Sequence, residues 1–236
     1  MQNIYTIFKK EARSYLNSPA AYIVVTFFLL ITGYFFGVNL FLMNQASLRT
    51  AFGIIPLVFI FFIPAITMRL VAEEKKVGTI ELLVTYPIRD SEIIVGKFLA
   101  ALALLAVALI FTWFYAISVS FMGNLDEGQV IGGYLGLLFM GAGYLAIGIF
   151  ASALTENQVV AFIVALVIIL VFFLLDKILF FIPTPLVSIF EYLSIDYHFE
   201  NISRGVIDTR DLLYYFSIIF FALLLASHSL GRRKGD

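Results

Sequence analysis

The chain has 236 residues, 62% of them hydrophobic and 13% charged, with a net charge of −1. A soluble domain averages about 45–50% apolar and about 25% charged residues, so this composition excludes an ordinary water-soluble fold and requires lipid to cover part of the surface. The absence of cysteine excludes disulfides and thiolate metal sites.

Six stretches of 19 or more residues carry no Asp, Glu, Lys or Arg: 14–48, 50–68, 98–125, 128–155, 157–175 and 212–231. A helix needs about 20 mostly apolar residues to cross the ~30 Å hydrocarbon core. A charge at its centre costs roughly 2.5–3.5 kcal/mol. The expected fold is therefore an all-α polytopic membrane protein, a single domain over 1–236. Its expected spans are 20–42, 54–71, 98–121, 130–154, 158–175 and 212–230. The first apolar run is longer than the 7–15 residues of a secretory signal core, so no cleavable leader is expected.

In chain order, residues 1–19 come first as an amphipathic interfacial helix. Ile4, Tyr5, Phe8, Ala12, Tyr15 and Leu16 recur at helical spacing, with Lys9, Lys10 and Arg13 on the other side. Span 1 carries Gly33 and Gly37, a small-xxx-small pair suited to helix packing. Span 2 carries Pro56 and Pro64. Span 3 has Trp113 and Tyr115 near its outer end. Span 4 is glycine-rich, including Gly132 and Gly136. Close packing accounts for these glycines, and a helix that slides or lines a pathway is the alternative. The turn at Glu156, Asn157 and Gln158 makes spans 4 and 5 a hairpin. Residues 178–190 are uncharged but interrupted by Pro183 and Pro185. They are too short to cross, so the outer loop 176–211 is expected to hold a re-entrant or interfacial segment.

With both termini inside, the inner segments hold eleven Lys and Arg residues: Lys9, Lys10, Arg13, Arg69, Lys75, Lys76, Arg89, Lys97, Arg232, Arg233 and Lys234. The outer segments hold four: Arg49, Lys177, Arg204 and Arg210. The positive-inside rule selects that orientation, with both termini in the cytoplasm.

The cytoplasmic loop 72–97 lies in a 29-residue stretch, Arg69 to Lys97, that holds ten of the 31 formal charges. Thr79 is placed to cap a short helix, with Glu81 in its first turn, Leu82, Leu83 and Tyr86 on one face, and Pro87 as its stop. A second start follows at Asp90 and Glu92. The residues alone leave two readings open: a docking surface for a soluble partner, or a solvated loop.

No ATPase activity is expected of this chain. A phosphate-binding loop needs G-x-x-x-x-G-K-[ST], and around Gly96-Lys97 the sequence has Ser91 and Phe98 instead. The span interiors hold no Asp, Glu, Lys or Arg, which argues against a proton-coupled carrier but not a passive pore. Glu73-Glu74 and Asp126-Glu127 lack partners at catalytic spacing. His198 lies near Asp196 and Glu200, and a solvated loop is the preferred reading there over a weak metal site. No metal ligands and no nucleic-acid contact are assigned.

The run PAITMRLVAEEKKVGTIELLVTYPI with the following Gly96-Lys97, and the run FEYLSIDYHFENISRGVIDTRDLLYY at 190–215, resemble the permease subunits of type-2 ABC exporters. Within them the likeness is to the gliding-motility-associated branch. The six spans, the interfacial helix and the long outer loop fit as well. The resemblance implies a bacterial inner-membrane permease half that pairs with a second permease, identical or related, and with two ATPase subunits that bind ATP and Mg. It also leaves room for an accessory extracytoplasmic subunit. It implies that Glu73, Glu74, Gly78, Thr79, Glu81 and Leu82 form the coupling segment against the ATPase, with Lys9, Lys10 and Arg13 as a second contact. A passive channel or a membrane anchor of a surface or motility complex is the alternative function.

Overall fold

The computed structural model describes residues 2–42, 48–79, 88–122, 126–179 and 183–231, and all regular structure among these residues is helical. The helices are α1 (Gln2–Asn17), α2 (Pro19–Leu42), α3 (Arg49–Thr67), α4 (Ala72–Val77) and α5 (Asp90–Ser120), followed by α6 (Glu127–Leu154), α7 (Gln158–Leu174), α8 (Thr184–Leu193), α9 (Ile195–Ser203) and α10 (Thr209–Gly231). Five stretches are long and apolar enough to cross a bilayer, those containing α2, α3, α5, α6 and α10. The hairpin partner α7 has 17 residues, the lower end of the spanning range. The molecule is a polytopic all-α membrane protein.

The helices outrun the expected spans because charged residues can occupy helical turns beyond the hydrocarbon. Helix α5 begins eight residues before its expected span, and the turn from Asp90 to Lys97 is helical. Helix α3 begins at Arg49 because Ala51 and Phe52 are buried and hold its first turn to the bundle. It continues through Pro56 and Pro64. Asn157 caps α7 by accepting the Val159 N–H at 2.9 Å, the tight connection expected of the hairpin.

Helix α6 is the axis. In its apolar window 78% of the residues are buried, against 22% in α2 and α10. It contacts α3, α5, α7, α9 and α10. Its glycines allow this. A Cβ at Gly133 would overlap the Phe52 ring, one at Gly141 would overlap Leu105, and one at Gly148 would overlap Thr67. The outer helices bury less and expose apolar side chains such as Phe27, Leu30, Phe216 and Phe220, the surface lipid covers. Between α2 and α3 the packing is aromatic: the Phe28 ring lies 4.6 Å from Phe62 and 5.8 Å from Phe59. Tyr115 of α5 donates to the Leu29 carbonyl at 3.2 Å and stands against Gly33.

The antiparallel order gives the bundle two ends. The near end gathers α1, the α3–α4 turn, the start of α5 and the ends of α6 and α10. The far end gathers the start of α3, the end of α7 and the helices α8 and α9.

Candidate functional site

At the near end α1 lies against α5. Its buried residues are Ile7, Glu11 and Tyr15, spaced one helical turn apart. The close approach depends on Gly96: a Cβ there would stand 2.7 Å from Ile7 and 3.2 Å from the Ile4 carbonyl. The apolar residues Tyr5 and Leu16 stay exposed at 64% and 65%. The helix thus uses one stripe for packing and leaves another for the membrane interface.

At the next residue after Gly96 the Lys97 side chain enters the interior and is 1% exposed. Its Nζ lies 3.0 Å from Glu11 Oε1 and 2.9 Å from Glu74 Oε2. Lys10 closes the group from the surface, 2.9 Å from Glu74 Oε1 and 3.5 Å from Glu11. Two cations and two carboxylates from α1, α4 and α5 therefore form one neutral cluster. Burial of a lone ammonium would cost several kcal/mol; two facing carboxylates are what make it tolerable. Burial pushes the Glu74 carboxyl up, and Lys97 with Lys10 more than reverses this, holding it below the usual carboxylate range. For Lys10, burial acts downward and is outweighed by Glu74 and Glu11, so its ammonium is held above its ordinary value.

The α3–α4 turn is tied to the end of α6. Ser152 Oγ accepts the Val71 and Ala72 N–H groups at 3.1 and 3.0 Å and donates to the Met68 carbonyl at 3.0 Å. Lys75 Nζ and Ser229 Oγ both donate to the Ala153 carbonyl. Arg69 donates to Ser18 at 3.0 Å and lies 5.7 Å over the Tyr15 ring. Helix α4 carries Glu73 and Glu74 in its first turn and Lys75 and Lys76 in its last, matching the helix dipole. Gly78 ends it at φ 76°, a left-handed cap that glycine adopts without steric cost.

Of the residues expected to couple to a partner, Glu74 and Lys10 meet in the charge cluster, and Glu74 faces inward. Glu73 and Thr79 are exposed, Gly78 is half-buried, and Lys9 and Arg13 are exposed on the outer side of α1. Glu81 and Leu82, with the short helix expected between Thr79 and Pro87, lie outside the described residues, as do Arg232, Arg233 and Lys234. The second start shifts by one residue: Arg89 is the cap, and the Glu92 carboxylate accepts its N–H at 3.1 Å. Of the packing glycines, Gly132 meets the Ile202 carbonyl and Gly136 meets the Phe199 ring, while nothing lies within 4 Å of a Cβ at Gly37. Sequence reasoning passed over Glu11 and gave Lys97 no buried partner, using it for topology, for the phosphate-loop comparison and in the family resemblance. The available signal was a lone acid on a basic helix, one turn from Ile7 and Tyr15 on what proved to be the packing stripe.

The far end is not a solvated loop around His198. That imidazole is buried, and its Nδ1 lies 2.6 Å from Asp211 Oδ1 and its Nε2 2.9 Å from the Tyr192 carbonyl. Asp196 and Glu200 are not its partners. The Tyr192 oxygen can only accept, so Nε2 carries a proton. The ring stacks on Tyr214 at 3.9 Å, and Tyr215 donates to the Ile195 carbonyl at 2.9 Å. Backbone carbonyls on both sides of the α8–α9 junction are thus held by α10 and by His198. Ser194 caps α9 and reaches Asp176 at 3.2 Å.

Apolar helices long enough to cross a bilayer, surrounding a glycine-lined axis and carrying an ion-paired amphipathic helix at one end, define a polytopic α-helical membrane protein. The model of the ABC-2 family transporter proteins matches residues 5–230, and the chain belongs to that family. It is a permease component of an ABC transporter, a type of membrane component that is generally non-catalytic and whose membership implies pairing with an ABC ATPase subunit. No curated protein matches the chain.

Proposed function

We propose that this chain couples ATP hydrolysis on two partner ATPase subunits to export through the membrane, as one half of a pair of permeases in the bacterial inner membrane. Both termini then face the cytoplasm, and ATP and Mg belong to the partner alone. The observation that carries this reading is the cluster of Lys97, Glu11, Glu74 and Lys10. It binds α1 and α4 to α5 two turns from its start, so force applied at either cytoplasmic element reaches a spanning helix directly. The exposed face of α4, with Glu73 and Lys76, and the segment that follows it, with Thr79, Glu81 and Leu82, form the contact for the ATPase. Lys9 and Arg13 on α1 form the second. The span interiors without ionisable residues fit an amphipathic or polymeric cargo, or mechanical work of the kind used in gliding motility, better than a small ion.

One substitution tests it. Glu73→Lys changes an exposed charge and leaves the cluster intact. It should reduce co-purification of the ATPase and ATP-dependent transport while the melting temperature of the permease stays unchanged. Normal recovery and transport in that variant would remove Glu73 from the docking surface. Purification that never yields an ATPase would favour a passive channel or an anchor.

A further inference from the structure

Four cationic side chains belong to the far end, Arg49, Lys177, Arg204 and Arg210, and no sequence motif joins them. The fold brings the first three to one cavity of about 600 Å³ between α3, α6, α7 and α9. That volume is within the usual range of small-ligand sites, about 300–1,000 Å³. Asp196 and Glu200 also reach it, so the charged lining carries an excess of one positive charge. Its apolar wall comes from Phe52, Phe173 and Phe199.

Lys177 and Arg204 retain donors to offer. Lys177 gives two of its three N–H groups to Asp176 and Asp196, at 2.7 and 2.8 Å. Arg204 meets Glu200 through one guanidinium nitrogen at 3.4 Å, and its side chain is 69% exposed. Burial works against the Lys177 ammonium, but the two carboxylates outweigh it and hold its pKa above the ordinary lysine value. It therefore stays cationic.

We infer that this cavity binds the phosphodiester of a membrane amphiphile, with the phosphate among Arg49, Lys177 and Arg204 and the adjoining chain against Phe52 and Phe173. Guanidinium forks match phosphate oxygens in geometry as well as charge. A phosphodiester brings one negative charge, the least an ionised phosphate carries at neutral pH, to three cations of which Lys177 and Arg204 already face Asp176, Asp196 and Glu200. A phosphomonoester carries nearly two at neutral pH and meets repulsion from Asp196 and Glu200. The cavity lies at the ends of two apolar helices, α3 and α7, where a lipid headgroup resides, and Phe52, Phe173 and Phe199 give an adjoining chain an apolar wall beside the polar Gln129 and Ser203. The site lies at the opposite end from the charge cluster, so it stands whether or not coupling to an ATPase holds.

The test uses the full-length chain in detergent with three added probes: phosphatidylglycerol, phosphatidic acid and the soluble diester glycerophosphoglycerol. Retained lipid is read by native mass spectrometry and binding by the shift in melting temperature. Phosphatidylglycerol should be retained and should raise the melting temperature more than phosphatidic acid. Arg49→Gln with Arg204→Gln should weaken its retention by about tenfold, the loss of one or two charge-assisted contacts. Because both arginines are exposed, the fold should survive, and an unchanged melting temperature without lipid verifies this. Should the double variant fail to fold, Arg204→Gln alone gives the same reading with a smaller effect. Equal retention of the diester by native and variant chains would overturn the site. Equal binding of the soluble diester would overturn the membrane amphiphile as its ligand, and stronger binding of phosphatidic acid would overturn the preference for a single negative charge.

Discussion

Lys97 is the residue on which the near end depends. Removing its charge leaves Glu11 and Glu74 facing one another with only Lys10 between them and water. Lys97→Met should lower stability by about 3–5 kcal/mol, the usual cost of breaking a buried ion pair. A double-mutant cycle with Glu74→Gln should show strong coupling, because Glu74 is half of what is lost. Thermal unfolding in detergent measures both; additive effects would separate the two side chains. The cluster also sets a pH dependence. The Glu74 carboxyl is held low, so its contribution is present above the ordinary glutamate range and is lost as pH falls through the lowered value. The Lys10 ammonium is held high, so its contribution is complete below the ordinary lysine range and is lost as pH rises through the raised value. The melting temperature should be flat between these limits, and Glu74→Gln should flatten the acid limb. At the far end Asp211→Asn removes the carboxylate facing His198 and should cost about 1–3 kcal/mol, read in the same unfolding experiment.

At the scale of elements, what was legible in the sequence was whatever a bilayer dictates. Uninterrupted apolar windows announced α2, α3, α5, α6 and α10, and the Glu156–Gln158 turn announced the α6–α7 hairpin. Pro183 and Pro185, expected only to interrupt the run 178–190, stand at the start of α8. Helix α4 went unread although Ala72–Val77 carries acids first, bases last and a glycine behind. Attention to an expected helix from Thr79 obscured it. The packing stripe of α1 was misjudged for a different reason. Tyr5 and Leu16 are exposed on the outer stripe, whereas the protein-facing stripe includes the charged Glu11, whose partner lies 86 residues away. No local pattern reveals a partner at that separation. The His198–Asp211 pair was hidden in the same way. Helix seating itself can be tested at Gly96. Gly96→Val should lift α1 from α5 at a cost of about 1–3 kcal/mol for overpacking, and Ile7→Ala should recover part of the loss. Cross-linking between cysteines introduced on α1 and α5 would follow the displacement; unchanged cross-linking would place the contact elsewhere.

For the whole molecule, the expected span interiors hold no Asp, Glu, Lys or Arg to relay protons through the bundle. Collapsing the proton gradient while ATP is held constant should therefore leave transport by the assembled complex unchanged, a comparison made in vesicles with an ionophore. Helix α6 gives the bundle a further property. Its last turn is gripped by Ser152 and Ala153 contacts to the α3–α4 turn, and its first turns are seated under α9 through Gly132 and Gly136. At 1.5 Å per residue its 28 residues make a rod about 42 Å long. Such a rod neither stretches nor buckles under thermal loads, so a tilt imposed where Ser152 is held must reappear as a swing beneath the far-side cap, with no chain of side-chain rearrangements needed to carry it across.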